Sequence, residues 1–194
     1  MTGFALVLLL GAAAAWIAAQ GARARARSYL RLAAVLYAAM AVAHAANLAP
    51  AAVTDIVMTL GSTVLCVGAF AGFRRNPRIL TASTALAFSG LAGIAAAMLD
   101  LPVLAAVPQV LSAVFTFLIA RRGLFERQRS GLYLALAAVC LLGAAACRLT
   151  PDLMARIGFM LFAAAAVAGV ALASNVFVEE HGRPRKRLPV GRLR

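Results

Sequence analysis

The sequence is short of acid, of lysine and of histidine. Six Asp+Glu stand against 19 Lys+Arg in 194 residues, and Lys186 is the sole lysine. No apolar segment therefore offers an amine for a retinal Schiff base. Of the two histidines only His44 falls in an apolar run, so one chain cannot supply a bis-histidine haem. The zinc-protease pattern HExxH and a glycine-rich phosphate loop ending in lysine are both missing. Ser89-Gly90 has no glycine two places before the serine and no later intramembrane histidine, which rules out a Ser–His dyad of the rhomboid kind. Glu179-Glu180-His181-Gly182-Arg183 is one residue short of an EExxxR pattern. These absences leave no catalytic residue, no cofactor and no metal ligand to nominate. Cys66, Cys140 and Cys147 lie inside apolar segments and read as small packing residues.

What is present is apolar. Hydrophobic residues make up 64% of the chain and charged ones 13%, with a mean hydropathy of +0.92. A soluble domain holds roughly 45–50% apolar and 25% charged residues. A chain this size has too much surface to hide the excess from water. The reading is an all-α polytopic membrane protein, a bundle of seven transmembrane helices. Its spans are expected at about 4–20, 30–49, 52–73, 79–99, 102–120, 131–147 and 153–178. Each is near the roughly 20 residues that cross a bilayer as helix, and about twice what a membrane strand needs. Pro50, Pro77, Pro102 and Pro151 stand at or beside the boundaries, where proline is tolerated. Short connections force neighbouring helices to be antiparallel. Residues 1–180 form one domain, and 181–194 a basic tail.

The net charge of +13 does not point to nucleic acid, because the arginines cluster at the ends of apolar runs. Seventeen of the 19 Lys+Arg fall in alternate connections and the tail. By the positive-inside rule that side is cytoplasmic and the amino terminus is outside. The expected location is a cell membrane, a bacterial inner membrane, crossed many times. Tail residues Arg183, Arg185, Lys186 and Arg187 are placed to meet an anionic inner leaflet or a protein partner.

An offset of 102 residues aligns Gly21 with Gly123, Arg25 with Arg127, Arg27 with Arg129, Ser28 with Ser130 and Leu30 with Leu132. It suggests a 3+1+3 repeat in which spans one to three match spans five to seven, parallel in the membrane.

Intramembrane polar residues are expensive and mark candidate sites. Mid-span positions offer only hydroxyls such as Thr59, Ser62, Thr63, Ser89, Ser112 and Thr116, which suit helix packing. The outer third is richer: His44, Asn47, Asp55, Asp100, Gln109, Arg148, Asp152 and Arg156. These eight form the candidate outer polar pocket, with Asp55–Arg156 as its expected ion pair. The competing reading is helix-end residues wetted by the interface.

The Arg-rich inner turns, Arg25-Ala26-Arg27-Ser28-Tyr29-Leu30 and Arg127-Gln128-Arg129-Ser130-Gly131-Leu132, and the outer turn Leu149-Thr150-Pro151-Asp152 make residues 20–178 resemble heptahelical membrane sensor modules that precede GGDEF or kinase domains. That resemblance implies a non-enzymatic sensor, here expected to signal through a partner. The seven-span layout and the pair Pro108-Gln109 in the fifth span also resemble PQ-loop/SWEET transporters, though the first span has no proline to match. That resemblance implies a small-solute transporter. The leading expectation is a sensor or accessory subunit meeting other membrane proteins or copies of itself.

Overall fold

The computed structural model describes residues 2–22, 24–46, 51–73, 79–150 and 153–182. Among them every regular element is a helix: α1 (Thr2–Gly21), α2 (Ala24–Ala45), α3 (Ala51–Phe73), α4 (Ile79–Leu99), α5 (Pro102–Phe125), α6 (Arg129–Arg148) and α7 (Leu153–Gly182). Six of them, α2 to α7, contain stretches long and apolar enough to cross a membrane. The protein thus has the architecture of a multi-pass membrane protein. α1 carries a shorter apolar stretch, Ala5–Gly21.

The helices outrun the apolar spans. α2 starts at Ala24 rather than near 30, α5 continues past Arg121-Arg122 to Phe125, and α7 runs through Glu179-Glu180 to Gly182. Arg and Glu are good helix formers, so the hydrocarbon boundary does not end the helix. Two helices stop by backbone geometry. Asp100 (φ 53°) and Arg127 (φ 52°) adopt the left-handed conformation. The next amide then reaches back five residues, Leu101 N–H to Ala96 O at 3.1 Å and Gln128 N–H to Gly123 O at 2.8 Å. Each is a Schellman stop that satisfies an end carbonyl.

Glycine contacts fix the packing and the helix directions. Gly61 and Gly72 of α3 face Tyr37 and Ala26 of α2, an antiparallel pairing. Gly143 and Gly169 of α7's neighbour pair, α6 and α7, face Phe162 and Ala137 respectively. Gly11 of α1 lies against Ala164 and Gly21 against Asn175, so α1 and α7 run parallel. At the α5–α6 crossing Gly123 and Gly131 meet backbone to backbone. A Cβ on Gly131 would stand 2.5 Å from the Gly123 carbonyl carbon. Only glycine allows that approach.

These pairings close two four-helix squares, α1–α2–α3–α7 and α3–α5–α6–α7, which share the α3/α7 edge. α4 lies outside them against α3 and α5. It turns Ala82, Ser89, Gly93 and Ala96 inward and leaves Leu80, Leu91 and Met98 exposed. α1, α3, α5 and α7 all run one way, which gathers the connections around Arg27 and around Arg121 to Arg129 at one end of the bundle.

Burial follows the same two-fold pattern with different registers. Leu8, Gly11, Ala12, Ala15 and Ala19 are buried in α1 as Gln109, Ser112, Ala113, Thr116 and Ala120 are in α5, an offset of 101. Leu30, Ala33, Ala34, Tyr37 and Ala41 are buried in α2 as Leu134, Ala137, Ala138, Leu141 and Ala145 are in α6, an offset of 104. The offset of 102 matches buried Leu30 with Leu132, which is 52% exposed. Packing therefore sets the equivalence two residues further along α6 than the matching letters do.

Candidate functional site

Hydroxyls on the inner faces of α3, α4 and α5 mostly bond to their own helices. Ser62 Oγ donates to Thr59 O (2.8 Å), Ser89 Oγ to Ala85 O (2.9 Å) and Thr116 Oγ1 to Ser112 O (2.6 Å). A carbonyl one turn back is always within reach of such a side chain. Two contacts cross between helices: Thr63 Oγ1 with Ser89 Oγ at 2.6 Å, and Cys66 with Thr116. These residues are the glue of α4 and α5 onto α3, as expected of mid-span hydroxyls.

The polar atoms that find no hydrogen-bond partner among the described residues lie nearer the ends. Toward the end carrying the α4–α5 and α6–α7 connections they are His44 Nε2 and Gln109 Oε1. Gln109 is 3% exposed. It shares a face of α5 with Ala113 and Thr116, four and seven residues on. Thr116 touches Cys66 of α3, and Ala113 packs with Leu141 of α6 and Ala166 of α7. Gln109 is thereby directed into the α3–α5–α6–α7 square. One position earlier, Pro108 lacks an N–H, so the Leu104 carbonyl loses its normal helical donor.

Arg148 ends α6 on the same square. Its guanidinium lies 5.5 Å from the Phe159 ring centroid of α7, a cation–π contact. The Gly123–Gly131 crossing sets the antiparallel register of α5 and α6. That register places Arg148 beside Ala106, one turn outward of Gln109. Phe159 and neighbouring Met160 are buried in the main core.

Of the other expected pocket residues, His44 and Asp100 stand apart from that square. His44 closes α2, which packs along α1 and α3 and not along α5 or α6. The α2–α3 register puts it level with Thr54-Asp55. Asp100 is exposed and ends α4 by its positive φ. Asp55 and Arg156 stand on α3 and α7, which touch, at comparable heights; their side chains lie outside the described residues. So do Asn47 and Asp152 altogether, and tail residues Arg183, Arg185, Lys186 and Arg187.

At the opposite end the structure reveals polar atoms that sequence reasoning missed. Ser174 Oγ and Asn175 Oδ1 of α7 and Arg27 Nε of α2 are buried without hydrogen-bond partners among the described residues. Asn175 presses on Gly21, and Arg27 donates from Nη2 to Ala22 O at 3.3 Å, both at the carboxyl end of α1. A cation there complements the helix dipole. The available signal was Asn175 itself, an amide inside the apolar run Ala171 to Val178.

Also at this end, Glu180 of α7 accepts from Arg129 N–H (2.9 Å) and Ser130 Oγ (2.6 Å), capping the first turn of α6 from 50 residues away. Phe73 of α3 and Phe177 of α7 meet with ring centroids 4.7 Å apart and planes tilted by 51°. No protein-family model, curated protein or solved structure matches this chain.

Proposed function

We propose that the chain crosses a bacterial inner membrane seven times, amino terminus outside and basic tail in the cytoplasm. In this reading it works there as a non-enzymatic sensor or accessory subunit acting through other proteins. Gathering of the Arg-bearing connections at one end of the bundle supports that orientation. The paired burial patterns of α1/α5 and α2/α6 support a parallel 3+1+3 repeat with α4 as the linker.

The observation that carries the functional reading is where unsatisfied polar atoms lie. Among the described residues they collect toward the two ends, while the hydroxyls between them bond to their own helices and the helices pack closely at glycines. A bundle with polar groups toward either end and closely packed helices between them suits binding on one side and transmission to the other. It does not suit a continuous path. The close glycine contacts, however, are made within the chain, so partner association would use the exposed faces of α4 and α5 or the tail.

Native purification in mild detergent, followed by mass spectrometry of associated proteins, tests this. A stoichiometric partner is expected. An isolated chain that catalyses saturable solute counterflow in liposomes would replace this reading with the transporter one. That second reading is favoured by the two-fold arrangement of the triplets around α3 and α7.

A further inference from the structure

We propose that the outer face of α1 and α2 holds an anionic phospholipid with a glycerol headgroup. Its phosphate rests on Arg31 and its acyl chains lie along the exposed apolar residues of the two helices. The inference goes beyond the sensor reading and uses only the span reading of α1, the helix that carries Trp16.

Three observations lead to it. First, the pair Trp16 and Arg31 lies on the surface, at the depth of lipid phosphates. Trp16 is 43% exposed, and the Arg31 guanidinium of α2 stands 5.4 Å from its ring centroid. Tryptophan collects where hydrocarbon meets headgroups. Toward the α1–α2 connection from that level, α2 carries Arg27 and exposed Ser28. In the other direction the exposed residues include Leu9 and Leu10 of α1 and Val35 and Val42 of α2. The face is thus polar and cationic on one side of the pair and apolar on the other, as a phospholipid is.

Second, Arg31 has donors to give. It is exposed and makes no ion pair among the described residues. The indole engages its flat face, while its in-plane N–H groups can meet a phosphate two at a time. Ser28, one turn away on the same face, adds a hydroxyl. Packing does not call for this cation: the burial-matched positions in the other half are Phe117 and Ala135, so the ring recurs and the guanidinium does not.

Third, the neighbourhood is cationic and holds no acid. Arg23, Arg25, Arg27 and Arg31 all precede Asp55, the first acid of the chain. On α7, which runs beside α1 with Gly21 against Asn175, Glu179 stands about 14 Å beyond the level of Trp16. A headgroup amine would therefore sit among guanidinium groups with no carboxylate to receive it. A glycerol headgroup brings only the phosphate charge.

Trp16 is the only tryptophan of the chain, so brominated lipids that touch it quench the intrinsic fluorescence. The test uses the full chain in phosphatidylcholine vesicles with a minor share of phosphatidylglycerol. Bromine is carried in turn by the phosphatidylglycerol and by an equal share of the phosphatidylcholine. Phosphatidylglycerol should be enriched at Trp16 about fivefold over its share, and phosphatidylethanolamine in its place should not be enriched. Arg31→Gln should remove the enrichment and leave quenching by brominated phosphatidylcholine intact. Arg121, which lies over Phe125 at the same end of the bundle, is the control, and Arg121→Gln should change nothing. If Arg31→Gln does not fold, Arg31→Lys takes its place and should keep less than half of the enrichment. Equal quenching by the two lipids in the unaltered protein, enrichment that survives Arg31→Gln, or an equal loss in Arg121→Gln each overturns the proposal. Absence of quenching in vesicles made wholly of brominated phosphatidylcholine would overturn the span reading of α1 along with it.

Discussion

The α5–α6 crossing gives the sharpest mechanical prediction. Replacing Gly131 by alanine sets a Cβ 2.5 Å from the Gly123 carbonyl carbon and 2.7 Å from both Gly123 Cα and Leu124 N. Ordinary carbon–carbon contact is about 3.5–4.0 Å, so the helices must separate by roughly 1 Å. The obstacle is backbone on both sides, and no rotamer change relieves it. Separation also strains the start of α6, where Glu180 holds Arg129 N–H at 2.9 Å and Ser130 Oγ at 2.6 Å. Overpacking of this kind costs about 1–3 kcal/mol, and we expect Gly131→Ala near the upper end, about 3 kcal/mol. Gly90→Ala is the control. Its Cβ would meet only the flexible end of Leu60 at 3.7 Å, and its effect should stay within about 0.5 kcal/mol. Reversible unfolding in mixed micelles measures both. Gly123→Ala in the Gly131→Ala background should add less than it costs alone, because one displacement serves both methyl groups. If Gly131→Ala and Gly90→Ala are equally mild, the close approach of α5 and α6 is wrong.

Thr63→Val removes the cross-helix contact to Ser89 while preserving shape, and should cost about 0.6 kcal/mol in the same assay; a loss above about 2 kcal/mol would contradict a packing role. Glu180→Gln keeps the acceptor but removes its charge from the α6 amino terminus, and should cost about 0.5–1 kcal/mol, with the loss shrinking as salt is raised. Asp100→Gly relieves a left-handed aspartate and should stabilise by about 1 kcal/mol, whereas an essential pocket carboxylate would show lost ligand response instead. A single cysteine placed at Arg192, in a chain whose native cysteines are replaced by alanine, should resist an impermeant maleimide on intact cells and react after lysis. Labelling of intact cells would reverse the orientation.

The apolar runs and the spacing of their boundary prolines determined the helices, because hydrocarbon leaves the backbone no other way to pair its own groups. Their antiparallel succession followed from connections too short for anything else. Sequence also singled out Gln109 and Arg148, since polar side chains in apolar runs stand out wherever they occur. It did not tell which of the eight outer residues share a space. Only packing separated His44, on α2, from Gln109 and Arg148, which face a different square. The same holds for the proposed repeat, where matching letters at an offset of 102 gave way to matching burial at 101 and 104. Side-chain identity in a lipid-soluble chain is dominated by Ala, Leu and Gly on every face, so composition carries little record of which face is inside. That record is written in contacts such as Gly123 against Gly131, which depend on two residues meeting across helices and are invisible in either alone.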